Sequence, residues 1–125
     1  IVIDSAGGDG RAAMEMGRLA REAKAHVFVK GTCRSACVFL LAGAVYRDAR
    51  PFSIGIHRGR ITRNVPGKGE VVVDVEANPE ARGALEVAER DARDYFEEMG
   101  MPARLWEEMQ KVRRSPSGMA TVSIA

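Results

Sequence analysis

Ser35 stands between two cysteines in Gly31-Thr32-Cys33-Arg34-Ser35-Ala36-Cys37, and a wholly apolar run, 38–45, follows. Residues 36–45 read as a short buried helix. A hydroxyl at the N-terminal mouth of such a helix has two uses. It can cap the helix, or it can attack a carbonyl whose developing oxyanion is held by the free N–H groups of the first turn. Serine needs a base to take its proton, and histidine suits that task near neutral pH. His57 closes the stretch 52–56 and is the candidate base. Ser5-Ala6-Gly7-Gly8 is a turn whose glycines allow a backbone N–H to approach substrate closely. The amides of Gly8 and Ala36 are therefore the candidate oxyanion-hole donors. Singly, each feature has a plainer reading: a helix cap, a surface histidine, a turn. Their order and their similar placement argue for chemistry.

The placement comes from the elements around them. Residues 1–4 read as a short buried strand and 5–10 as a Gly-rich turn. Apolar residues at Ala13, Met16, Leu19, Ala20 and Ala23 give helical spacing over 11–23. Residues 26–30 form a second strand that Gly31 breaks. Residues 47–51 are a connector, and Pro51 opens the third strand. Alternation of this kind argues for an α/β fold with parallel strands and right-handed crossovers. The functional edge of such a sheet lies at the carboxyl ends of its strands, where Gly7-Gly8, Ser35 and His57 all fall.

Beyond His57 the pattern changes. Residues 61–65 and 70–75 flank Pro66-Gly67-Lys68-Gly69 as a hairpin or extended arm. Asn78-Pro79 opens a long helix that Gly100 stops. Its stripe of Ala81, Ala84, Leu85, Ala88, Ala92, Tyr95, Phe96 and Met99 reads as core or subunit interface. A short helix with Trp106 runs to 112. From 113 on, Ser115-Pro116-Ser117-Gly118 marks a loop before a weakly strand-like end.

The 125 residues suit one modest domain, and a net charge of +2 gives no argument for nucleic acid or an anionic membrane. Arg58, Arg60, Arg63 and Lys68 lack interleaved aromatics and read as solvated surface. No apolar stretch approaches the ~20 residues of a membrane span. Cys33 and Cys37 have poor spacing for a disulfide and read as small buried residues. His26 and His57 are too distant in sequence to suggest zinc, so no metal or cofactor is expected. The chain opens inside a strand, which suggests a fragment lacking upstream strands.

Together, Ser5-Ala6-Gly7-Gly8, Gly31-x-Cys33-x-Ser35-Ala36-Cys37-x-x-Leu40-Leu41-Ala42 and Ile54-Gly55-Ile56-His57 resemble the Clp protease proteolytic subunit and its relatives in the ClpP/crotonase superfamily. The likeness is to the bacterial branch that writes its nucleophile as G-x-C-x-S-A-C, often in envelope-associated proteins. It covers residues 1–57 and extends loosely to 112. The resemblance implies one domain: a catalytic core (1–57), an arm (58–77), helices of a handle (78–112) and a tail (113–125). It implies a serine endopeptidase that cleaves extended or unfolded peptides through an acyl-enzyme. Ser35 would be the nucleophile, His57 the base, and Gly8 and Ala36 the oxyanion amides. Gly7, Gly59, Arg60 and Ile61 would meet substrate. It also implies a homo-oligomer and favours the envelope or periplasm over the cytoplasm. It leaves a regulatory ATPase or membrane partner unspecified.

One departure stands out. The family takes its third catalytic member, a carboxylate, from a segment after the long helix. Residues 110–123 hold no Asp, Glu or Asn. Asp74, Glu76, Asp91 and Asp94 are the alternatives, and a Ser–His dyad is another. Three further readings stand beside the peptidase: a catalytically degenerate scaffold, a crotonase-type acyl-CoA enzyme, and a Ser–Lys hydrolase using Lys68. The scaffold reading expects Ser35 and His57 too far apart to hydrogen-bond, or a blocked pocket.

Overall fold

The computed structural model describes residues 1–112 and 119–122. Strand β1 (Val2–Ser5) leads through a turn into helix α1 (Gly10–Glu22), and strand β2 (His26–Arg34) returns parallel to β1. Asp9 starts α1, its carboxylate accepting the Ala12 N–H at 2.8 Å. Helix α2 (Cys37–Gly43) follows β2 directly. Strand β3 (Tyr46–Asp48) pairs in parallel with the start of β2, and β4 (Ile54–Ile56) pairs in parallel with its end. Strands β5 (Thr62–Val65) and β6 (Gly69–Val72) form a separate antiparallel hairpin. Helices α3 (Pro79–Glu98) and α4 (Ala103–Lys111) come next, and β7 (Ala120–Val122) pairs antiparallel with β4. The fold is α/β, with a mostly parallel sheet and four helices among the described residues.

Two sequence expectations change here. Gly31 does not end the second strand, which continues to Arg34. A side chain at Gly31 would collide with the Asp4 carboxyl group, and that carboxylate accepts the Thr32 N–H at 3.0 Å. The glycine makes room for a cross-strand contact rather than a turn. The connector at 47–51 also begins inside β3, and the third strand starts only at Ile54. Phe52 takes a left-handed φ of 60°, so the chain is still turning there. The loop at 113–118 lies outside the described residues.

Strand alternation sorts β2 into a core side and an open side: Val27 and Val29 are buried, while Phe28 and Lys30 are exposed. The core joins Val27, Val29, Leu41, Ile54 and Ile56 to Tyr95, Phe96, Met99 and Leu105 of the helices. Helices α1 and α2 touch backbone to backbone at Gly17 and Gly43. Tyr95, fully buried, fills the space beside Gly17 and donates its hydroxyl to the Phe39 carbonyl at 2.5 Å. Burial pushes the Tyr95 phenol up to about 12, so it stays a donor.

Two arginines close the other end. Arg47 donates to the carbonyls of Ala42 at 2.9 Å and Met99 at 2.6 Å. Arg21 donates to Gly43 at 3.1 Å and Met99 at 3.2 Å. These carbonyls end α2 and α3, where helices leave acceptors unpaired. The guanidinium groups thereby tie both helix ends to α1 and β3.

Two helical glycines should respond oppositely to alanine. A Cβ at Gly17 would strike the Tyr95 hydroxyl and lie 2.7 Å from the Phe39 carbonyl, whereas one at Gly83 meets nothing within 4 Å. Urea unfolding should show Gly17→Ala destabilised by about 1–3 kcal/mol through overpacking, and Gly83→Ala stabilised by up to about 1 kcal/mol through helix propensity. A neutral Gly17→Ala would contradict the close approach of α1 and α2.

Candidate active site

The end of β2 is held against β4 in register, with Cys33 opposite Ile54 and Arg34 opposite Gly55. Ser35 is one residue past that ladder and His57 two past it. The Cys33 N–H donates to Ser53 at 3.0 Å and the Ser35 N–H to Gly55 at 2.8 Å. The chain then reverses sharply into α2, and Ser35 takes a φ of 55°. A non-glycine residue in this left-handed region costs about 1–3 kcal/mol and persists only when its surroundings hold it. Ala36 occupies the N-cap position of α2 with no side-chain cap bond, so Ser35 is not a cap. Its Oγ lies 2.6 Å from His57 Nε2.

The other ring nitrogen fixes the proton. His57 Nδ1 is 2.5 Å from the carbonyl oxygen of Arg58. A carbonyl only accepts, so Nδ1 carries the hydrogen. In the neutral ring Nε2 is then the lone-pair acceptor for the Ser35 hydroxyl, the tautomer a general base requires. Burial holds the His57 pKa below the ordinary histidine value. The Arg58 carbonyl opposes this by favouring the protonated ring, and the Arg60 charge adds to the lowering.

The Gly7 turn packs on this elbow. Ser5 is level with Cys33, following a register shift in β1, and Ser5 Oγ accepts the Gly7 N–H at 3.1 Å. A Cβ on Gly7 would lie 2.7 Å from Ser35 Cβ and 3.0 Å from the Ala36 nitrogen. Gly7 also has a φ of 107°, so both space and backbone demand glycine. Gly8, next along, faces open space. The structure thus brings Gly7, Ser35, Ala36 and His57 to one sheet edge. Of the arm residues, Arg60 acts on His57 through its charge. Gly59 lies against α3, where an added Cβ would be 3.0 Å from Leu85. The Ile61 carbonyl accepts the Val73 N–H at 2.8 Å, so it secures the hairpin base. Lys68 lies in the turn between β5 and β6, its N–H donated to Val65.

None of the four alternative carboxylates takes the third place on the ring. Glu76 pairs with Arg82 at 3.6 Å and Asp94 with Arg93 at 3.8 Å. Asp74 accepts the Glu76 N–H at 3.0 Å, and Asp91 is exposed on α3. The partner of Nδ1 is a backbone carbonyl. Any residue type supplies one, so no side-chain pattern could have revealed it.

The cysteines correct a second expectation. Cys33 and Cys37 form a disulfide, with Cα atoms 5.3 Å apart. A strand that ends at Lys30 puts the two residues four apart across the start of the helix, a poor spacing for a disulfide. With β2 running to Arg34, Cys33 is on a strand and Cys37 is the first residue of α2. The reversal at Ser35 folds the two together. The informative sequence signal was the symmetric bracketing of Ser35.

A concavity of about 420 Å³ lies on the hairpin, lined by Thr62, Arg63, Asn64, Gly69 and Glu70, and shares no residue with the Ser35–His57 pair. The Ser35–His57 pair, joined by a 2.6 Å hydrogen bond, is the candidate site. Among the described residues no three His, Cys, Asp or Glu side chains are grouped to hold a metal, and no helix is long and apolar enough to cross a membrane. Comparison with models of known families, with curated proteins and with solved structures gives no match.

Titration of the His57 imidazole by NMR should give a midpoint below the ordinary value of about 6.5. The neutral, basic ring then survives to lower pH than in a free histidine, and base function is lost as pH falls through that lowered midpoint. A midpoint at or above the ordinary value would contradict burial as the dominant influence on the ring.

Proposed function

We propose that this chain is a serine hydrolase of Clp-protease type that cleaves extended peptides through an acyl-enzyme on Ser35. The observation that carries the reading is the 2.6 Å contact between Ser35 Oγ and His57 Nε2, made by a serine at a left-handed φ on a strand-to-helix elbow. Such elbows expose a nucleophile at the edge of a sheet.

In the proposed reaction, Ser35 Oγ attacks the carbonyl carbon while its proton passes to His57 Nε2. The oxyanion lies among backbone N–H groups at the elbow and the Gly7-Gly8 turn, with Ala36 and Gly8 as donors. The carbon–nitrogen bond then breaks, and the proton moves from His57 to the leaving amine. Water, deprotonated by His57, attacks the ester and releases the acid and free Ser35.

The Arg58 carbonyl orients the ring and fixes its tautomer. It does not offset the imidazolium charge as a carboxylate would. A turnover below that of a full triad is therefore expected, from the weaker support of the imidazolium rather than from a wrong tautomer. The close Ser35–His57 contact weighs against the form of the scaffold reading that expects the two apart; the form that expects a blocked pocket is separated from the hydrolase by probe labelling. An extended-peptide substrate is supported by the hairpin after His57: among the described residues β5 and β6 pair only with each other, leaving strand edges for an added strand. The Cys33–Cys37 disulfide supports an oxidising compartment such as the bacterial envelope. A handle-mediated homo-oligomer belongs to the same proposal. The exposed Ala84, Val87 and Ala88 on α3 are compatible with it.

A fluorophosphonate probe read by intact mass tests the reading. The wild-type chain should gain one probe mass. Ser35→Ala should gain none, and His57→Ala should label roughly 10²–10⁴-fold more slowly. A folded chain that takes no label, or labels equally without His57, would overturn it.

A further inference from the structure

The first turn of α2 begins without the usual fastening. Its N-cap, Ala36, has no side chain to accept an amide, and the neighbouring hydroxyl of Ser35 is turned to His57 instead. A seven-residue helix is too short to stand on its own backbone bonds. Yet Ser35, in the turn that feeds it, holds a conformation that relaxes unless constrained. Two backbone bonds restrain the turn, Ser35 N–H to Gly55 at 2.8 Å and Val38 N–H to Ser35 at 3.1 Å. The third restraint is covalent. The disulfide joins the strand before the turn to the first helical residue after it, closing Arg34, Ser35 and Ala36 into a small ring.

Both ends of that tie are fixed in the core, since Cys33 is 0% and Cys37 6% exposed. A bridge across only three residues gains little by restricting the unfolded chain, because that gain grows with loop length. Its main effect is therefore local. Rotation of Ser35 out of the left-handed region would swing Oγ away from Nε2, and a misplacement of about 1 Å at a reacting atom can cost 10²-fold in rate.

We propose that the Cys33–Cys37 disulfide is a positioning device for Ser35, covalently holding the nucleophile turn so that Oγ stays on His57 Nε2. The proposal rests on the hydrolase reading for its catalytic consequence. It makes activity depend on the oxidised form. Reduction by a dithiol converts the bond to two thiols while the dithiol is oxidised to its own disulfide, so two hydrogens are transferred and no other bond changes. The buried sulfurs make this reduction slow in the folded protein.

The test uses the full chain. Alkylation under denaturant without reductant first counts thiols: none is expected, and two would overturn the proposal. The chain is then reduced with dithiothreitol in denaturant, refolded with the reductant present and compared with the oxidised form. Fluorophosphonate labelling should show a maximal rate roughly 10²-fold lower in the folded reduced chain, with the probe's binding constant unchanged and the rate recovered on reoxidation. Amide exchange at Ser35 and Val38 should be faster in the reduced chain. Equal labelling rates, or equal exchange at those amides, would overturn the positioning role. Loss of the folded state on reduction would assign the bond to global stability and overturn it as well. No label in the oxidised chain, combined with faster exchange on reduction, would count against the hydrolase reading while supporting the clamp.

Discussion

The pairing of Arg34 with Gly55 is a small piece of parallel ladder, yet the site depends on it. It sets the end of β2 level with the end of β4, so the next residues along each strand meet above the sheet. A slip of one residue would displace one partner by about 3.3 Å and turn its side chain to the other face. The buried Cys33, Ile54 and Ile56 specify the register from below. The Gly7 turn presses on the elbow from the side, with glycine demanded by Ser35 itself. Behind the elbow, α2 is packed on α1 through Gly17 and Gly43, and Arg21 and Arg47 hold its far end. The core thus fixes a turn that would relax if left alone.

The same geometry bears on how the proposed base could work without a carboxylate. His57 sits at the end of a fully buried strand, half-covered, with Arg60 acting on it and the Arg58 carbonyl on Nδ1. Burial and the positive neighbour favour the neutral ring, and the carbonyl selects which nitrogen is bare. In the proposed reaction the imidazolium would receive the dipole of the Arg58 carbonyl in place of a carboxylate charge. This arrangement gives the correct tautomer at neutral pH and a weaker base than a full triad.

Much of this was legible in the residues. Alternating helical and strand periodicity located the sheet edge; Ser35 stood out between two cysteines before an apolar helix, and His57 at the end of an apolar strand. The Asn78 cap and the Gly100 stop located α3, whose N-cap bond runs from the Ala81 N–H to Asn78 at 3.0 Å. Three features were hidden for physical reasons. The Nδ1 partner is backbone and leaves no compositional trace. Gly31 looked like a strand breaker because its real constraint, the Asp4 carboxyl group, is 27 positions away in sequence. The disulfide was misread as a consequence, since its geometry depends on where the strand ends.

The central claim is that Ser35 is a nucleophile with an oxyanion site built from the elbow and the Gly7-Gly8 turn. The most direct measurement is a crystal structure of the chain after reaction with a fluorophosphonate. The account predicts phosphorus bonded to Ser35 Oγ, with its non-bridging oxygen within about 3 Å of the Gly8 and Ala36 nitrogens. Phosphorus on any other residue, or an adduct oxygen turned away from both amides, would contradict it.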